Sequence, residues 1–232
     1  MENILVGAVA GGLAALILPI ISKKILKLSD STAANVSKFG VVIFAVVAIN
    51  LYPIYKSQNA AKILDSEINK TIEQANASTK DGGNVADTLR EDSIEKANKK
   101  MESSSGSEKK IAAASQFLGY YLVNTKTRKD YCSNLGVKIK NFLKEFESEH
   151  ATDLSNTRKI LKTTVEAEDN FYLTSKSSFE KVLNVEMPAQ AKQLNLTEKQ
   201  ICEALESDAV NIAKAMQFSD VMPLQAKVIN EL

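Results

Sequence analysis

The stretch Ile4–Ile21 reads ILVGAVAGGLAALILPII, eighteen residues without a charge, and a second uncharged stretch, Phe39–Tyr55, reads FGVVIFAVVAINLYPIY. At about 1.5 Å of rise per residue the first gives roughly 27 Å of helix, long enough to cross the hydrocarbon core of a bilayer. Two such runs in one chain of 232 residues favour a pair of membrane spans over two buried core helices or strands. Residues 1–55 are therefore expected to form a transmembrane hairpin with spans at about 4–21 and 39–55. Met1, Glu2 and Asn3 supply no basic segment ahead of the first run, which argues against a cleaved secretory signal.

Details inside the two runs fit this assignment. Gly7, Gly11 and Ala15 stand four apart, with Ala8 and Gly12 in a parallel row; small residues so spaced let helix backbones approach closely in lipid. That packing face meets either the second span or another copy of the chain. Asn50 needs a partner for its amide, met by interfacial water or a backbone carbonyl. Tyr52 and Tyr55 suit the headgroup level, where the ring is buried and the hydroxyl stays wet. Pro19 and Pro53 lie near span ends, where a missing backbone donor does least harm.

The intervening loop carries Lys23, Lys24, Lys27 and Lys38 against Asp30. Short Lys-rich loops stay cytoplasmic, so both termini are expected outside the cytoplasm, as in a bacterial inner-membrane protein with a periplasmic domain. Ile21, Ile25, Leu26 and Leu28 alternate with these lysines in a basic amphipathic turn that anchors at the lipid headgroups.

Beyond Tyr55 the chain becomes polar. Ala61, Leu64, Ile68, Thr71 and Ala75 form one apolar seam along a polar helix, as in a stalk that meets either another subunit or a surface of its own chain. The sequence TKDGGN at 79–84 breaks that helix. The weakly periodic stretch up to SSSGS at 103–107 reads as a spacer of marginal helix. Residues 56–107 are accordingly expected to be stalk and flexible spacer, and 108–232 a head.

In the head, four amphipathic segments recur. Ile111, Ala114, Phe117, Leu118, Tyr121 and Leu122 line the first; Leu135, Ile139, Phe142, Leu143 and Phe146 the second. A long third runs from Leu154 to Leu183 with an interruption near Phe171. The last, Ile201 to Met216, opens with Thr197 and Gln200 at capping-box spacing. Strand signals are missing. The expected fold class is all-α, with an antiparallel four-helix-bundle-like head. Such a topology places the turn holding Cys132 beside the opening of the helix holding Cys202, predicting a disulfide and an oxidising compartment in preference to two buried thiols.

Chemistry is sparse. With 29 basic and 28 acidic residues the net charge is +1, so no broad field attracts nucleic acid. His150 is the single histidine. Its Glu147-x-x-His150 spacing occurs once where a dinuclear metal bundle needs it twice, so it reads as a surface histidine at a helix end. Glu166, Glu168 and Asp169 read as a solvated acidic face. No phosphate-binding glycine loop, nucleophile elbow or Cys-x-x-Cys is present. The sequence thus points to a non-enzymatic, membrane-anchored protein without metal or cofactor, whose partners are the lipid bilayer and another protein bound by the head. The alternatives are an oligomeric channel or membrane-perturbing protein built on the glycine-rich first span, and a ligand-sensing periplasmic bundle.

Overall fold

Apolar residues three and four apart fall on one side of a helix, and burying that side is what holds a short helix in place. A computed structural model of the protein describes residues 60–78 and 85–231. The expected hairpin and its residues, Gly7, Gly11, Gly12, Ala15, Lys23, Lys24, Lys27, Asn50, Tyr52 and Tyr55, lie outside the described residues. Among the described residues no helix is long and apolar enough to cross a membrane.

The described residues are all-helical, with no strand among them. They contain α1 (Ala60–Ser78), α2 (Val85–Ser103), α3 (Gly106–Leu122), a π turn (Val123–Thr127), α4 (Arg128–Asn134), α5 (Lys140–Glu149) and α6 (Ala151–Leu161). The long α7 (Val165–Leu194) follows, then α8 (Glu198–Ser207), α9 (Ala209–Ala215), α10 (Phe218–Val221) and α11 (Pro223–Asn230). Packing is chiefly α3 against α6 and α11, α5 against α9, and α7 against α1 and α8.

The seam on α1 exists as expected, and α7 covers it. Leu64, Ile68 and Ala75 are fully buried in the same core as the head. Polar contacts flank the seam: Lys181 Nζ donates to Asp65 Oδ1 at 2.6 Å and to Asn69 Oδ1 at 3.0 Å, and Ser178 Oγ donates to Asp65 at 3.1 Å. The stretch expected to be a marginal spacer forms α2, which buries Leu89, Ser93, Ala97 and Met101 at a spacing of four. Small and polar members weaken that row's hydrophobic signal without changing its geometry. The Ser/Gly-rich joint between α2 and α3 shrinks to Ser104 and Ser105.

The four expected head segments correspond to helical regions, but they are subdivided and added to. The first continues beyond Leu122 through the π turn into α4, where the Arg128 N–H bonds to Val123 O, five residues back. Side chains serve carbonyls of the preceding turn: Asn124 Nδ2 donates to Tyr120 O at 3.0 Å and Thr125 Oγ1 to Tyr121 O at 2.7 Å. Gly136, with φ of 78°, ends α4 in a Schellman motif; Val137 N–H bonds to Cys132 O and Gly136 N–H to Ser133 O. The third segment breaks at Lys162, whose φ is 51°, and not near Phe171. Thr164 caps the start of α7 by accepting from the Ala167 N–H. The fourth begins with the expected capping box at Thr197 and Gln200 and breaks at Asp208. The short α10 and α11 complete the core through Phe218, Val221, Ala226 and Ile229.

Candidate functional site

Of the residues singled out in the head, the two cysteines are brought together. Cys132 in α4 and Cys202 in α8 are separated by 70 residues, with Cα atoms 5.6 Å apart and sulfurs 2.02 Å apart, at bonding distance. Both are fully buried. Beside them, the Tyr131 hydroxyl donates to Glu198 Oε2 across the same pair of helices. Burial and the Glu198 carboxylate push the Tyr131 phenol well above its ordinary range.

One turn before Cys132 lies a sealed polar cluster. Arg128 Nη2 donates to Glu186 Oε1 of α7 at 3.0 Å, Nε donates to Asn124 Oδ1 at 3.1 Å, and Nη1 approaches Met187 Sδ at 3.3 Å. Gln190 Nε2 donates to the same Glu186 oxygen at 2.8 Å. The Arg128 and Glu186 side chains are 3% and 2% exposed, which takes this pair out of the class of weak surface ion pairs. Glu186 Oε2 is buried with no hydrogen-bond partner among the described residues. The π turn sets the rotation at which Arg128 leaves the helix. Such turns recur where a helix must aim a particular side chain.

The second interior feature is aromatic. Phe117 and Tyr120 of α3, Phe142 and Phe146 of α5, and Phe218 of α10 are all buried, and His150 sits among them, 1% exposed. Its ring stacks on Phe146 with centroids 4.1 Å apart. His150 Nδ1 lies 2.8 Å from Phe146 O. A carbonyl only accepts, so Nδ1 carries the hydrogen. Nε2 then accepts from the Phe218 N–H at 3.3 Å. Burial lowers the histidine pKa below its ordinary value, against a weaker upward pull from the Phe146 carbonyl and Asp153. The Tyr120 phenol is raised well above its ordinary value by the same burial, and its hydroxyl donates to Met216 O. Tyr121, less enclosed, is pushed up to about 12 by burial and then by Glu147.

These contacts correct two expectations. His150 is not a surface residue: it prolongs the row Phe142, Phe146 at a spacing of four, and that row outweighs its acidic neighbours in sequence. The acidic triplet is not a uniformly solvated face either. Glu168 is 2% exposed and accepts from Arg158 Nε and Nη2 at 2.9 and 2.8 Å, a bidentate contact across the α6–α7 corner. Asp169 pairs with Lys126 at 2.5 Å, and Glu166 is exposed. Among the described residues no group of three or more His, Cys, Asp or Glu is placed to hold a metal ion. Both nitrogens of His150 are occupied by backbone groups, so as placed the ring presents neither a base nor a ligand to a bound molecule.

No motif in the sequence marks Arg128 or Glu186, although Glu186 falls on the buried stripe of α7 with Phe179, Val182, Leu183 and Gln190. A charged residue in phase with an apolar stripe is the signal that would have found it. No protein-family model, curated protein or solved structure matches the chain.

Proposed function

We propose that this is a membrane-anchored envelope protein in which a two-span hairpin holds a disulfide-linked helical bundle outside the cytoplasm, and that the bundle binds or scaffolds another protein without catalysing a reaction. The observation that carries this reading is the pair of charge-free runs, Ile4–Ile21 and Phe39–Tyr55, which are too apolar to leave lipid. The cysteine pair supports an oxidising compartment, since disulfides persist there and are reduced in a typical cytosol. The side of the membrane follows from the lysines of the loop between the spans. A protein-binding role is favoured by apolar side chains such as Leu173 and Val165, which stand 67% and 55% exposed on α7.

Two measurements on the full chain in its native membrane test the reading. Cells are quenched in acid, denatured and treated with a maleimide-polymer conjugate; the chain should shift in mobility only after reduction. A shift without reductant would place the head in a reducing compartment and overturn the topology. For the binding role, a photo-crosslinking residue at Leu173 or Val165 should yield one discrete heterologous adduct. Uncrosslinked chain alone, from both positions, would contradict it.

A further inference from the structure

The C-terminal helices α10 and α11 reach the rest of the head through apolar burial and through a small number of polar contacts, and one of these depends on a proton. The Phe218 N–H, at the start of α10, is received by His150 Nε2 at 3.3 Å, and Nε2 accepts only while the ring is neutral. The other nitrogen is committed to Phe146 O, so the ring cannot turn over to offer a different acceptor without breaking that bond. We propose that His150 is an acid-operated latch: protonation converts the acceptor facing Phe218 into a donor, sets two N–H groups against each other, and releases Phe218–Asn230 from the head.

The surroundings decide how far the latch is poised. From α3, Tyr120 faces the imidazole at 5.4 Å between centroids and, with its phenol held neutral, supplies no negative charge. Glu149 of α5 and Asp153 of α6 both favour the charged ring, while Asp220 of α10 acts on Tyr120. The Met216 carbonyl, which accepts the Tyr120 hydroxyl, has a second lone pair and also favours the charged ring, but a new Nε2–H directed there leaves the Phe218 N–H without its acceptor. The rings of Phe117 and Phe146 wall in the remainder, so a charged imidazole gains little solvation where it stands. Outward movement of α10 both separates the opposed donors and admits water. This device needs no ligand, and it does not depend on which protein the head binds.

The test is amide hydrogen exchange on the full chain in lipid nanodiscs at about pH 7.5 and about pH 5, bracketing the ordinary histidine pKa of about 6.5. Rates are expressed as protection factors, so that the intrinsic pH dependence of exchange cancels. Protection across 218–230 should fall by about tenfold or more on acidification while that of α3 holds. His150→Gln keeps one donor and one acceptor but does not titrate, and its protection there should be the same at both pH values. Because His150 is the chain's single histidine, its ring resonance is unambiguous. In the wild type protection should start to fall near the ordinary histidine pKa of about 6.5 and level off at the midpoint of the ring titration, a comparison that stands even if the variant fails to fold. Unchanged protection at acid pH, an acid loss that persists in His150→Gln, or a loss that continues below the pH at which the ring has titrated would each overturn the proposal.

Discussion

Arg128 Nη2 lies 3.0 Å from Glu186 Oε1, and both side chains are almost wholly withdrawn from solvent. Desolvating two charges is costly, and their attraction offsets that cost only while both are present. Arg128→Met alone should therefore destabilise the head by about 3–5 kcal/mol, because it strands a buried carboxylate. The double variant Arg128→Met/Glu186→Leu should be less damaging than the two single losses added together, by about 2 kcal/mol or more. Chemical denaturation of the four members of the cycle measures the difference; strict additivity would mean that the two side chains do not act as a pair.

The bond between Cys132 and Cys202 closes a loop of 70 residues. Loop-closure entropy for that length corresponds to about 4 kcal/mol of stabilisation. Cys132→Ala/Cys202→Ala should lower the unfolding free energy by about that amount, and the variant should unfold identically with and without reductant. A wild type indifferent to reductant under denaturing titration would show that the pair is not bonded in solution.

Ile68 on α1 is fully buried against the head. Ile68→Ala leaves a cavity and should cost about 2–4 kcal/mol in the same cooperative transition that unfolds α3 and α7. An exposed stalk would lose only a few tenths of a kcal/mol, so the measured value separates a core helix from a solvent-exposed one.

The depressed pKa of His150 also fixes the sign of a global pH effect. In the folded chain the ring stays neutral at pH values where an unfolded chain already binds a proton, so the unfolded state binds more protons and stability rises with pH. The histidine contribution is complete above its unfolded value of about 6.5 and is lost as pH falls below it towards the lower folded value. Urea titrations at a series of pH values should show this rising limb in the wild type and its disappearance in His150→Gln. A limb unaltered by the substitution would assign the effect to carboxylates.

The sequence makes some of this architecture legible and hides the rest for identifiable reasons. Helical periodicity carries the buried rows of α3, α5 and α7, and the Thr197/Gln200 box marks the start of α8. The cysteine pairing follows from placing two turns at one end of a helical bundle. The breaks at Lys162 and Asp208 are hidden because neither position is glycine or proline, and a left-handed lysine such as Lys162 has no compositional flag. The α2 row is hidden because Ser93 and Ala97 supply packing volume with little hydrophobicity. The acidic neighbours of His150 point to exposure, whereas its phase with Phe142 and Phe146 places it inward; Arg128 and Glu186 carry no motif, and only their phase with Asn124 and Cys132, and with Val182 and Gln190, marks them as buried.

If the uncharged runs at Ile4–Ile21 and Phe39–Tyr55 hold the chain in a bilayer, as proposed, fractionation of the full-length protein will show it. Membranes are washed with alkaline carbonate and sedimented at high speed, without detergent. The chain should remain entirely in the pellet and enter solution only when detergent is added. Recovery of the full-length chain in the supernatant as a monodisperse species would contradict membrane insertion.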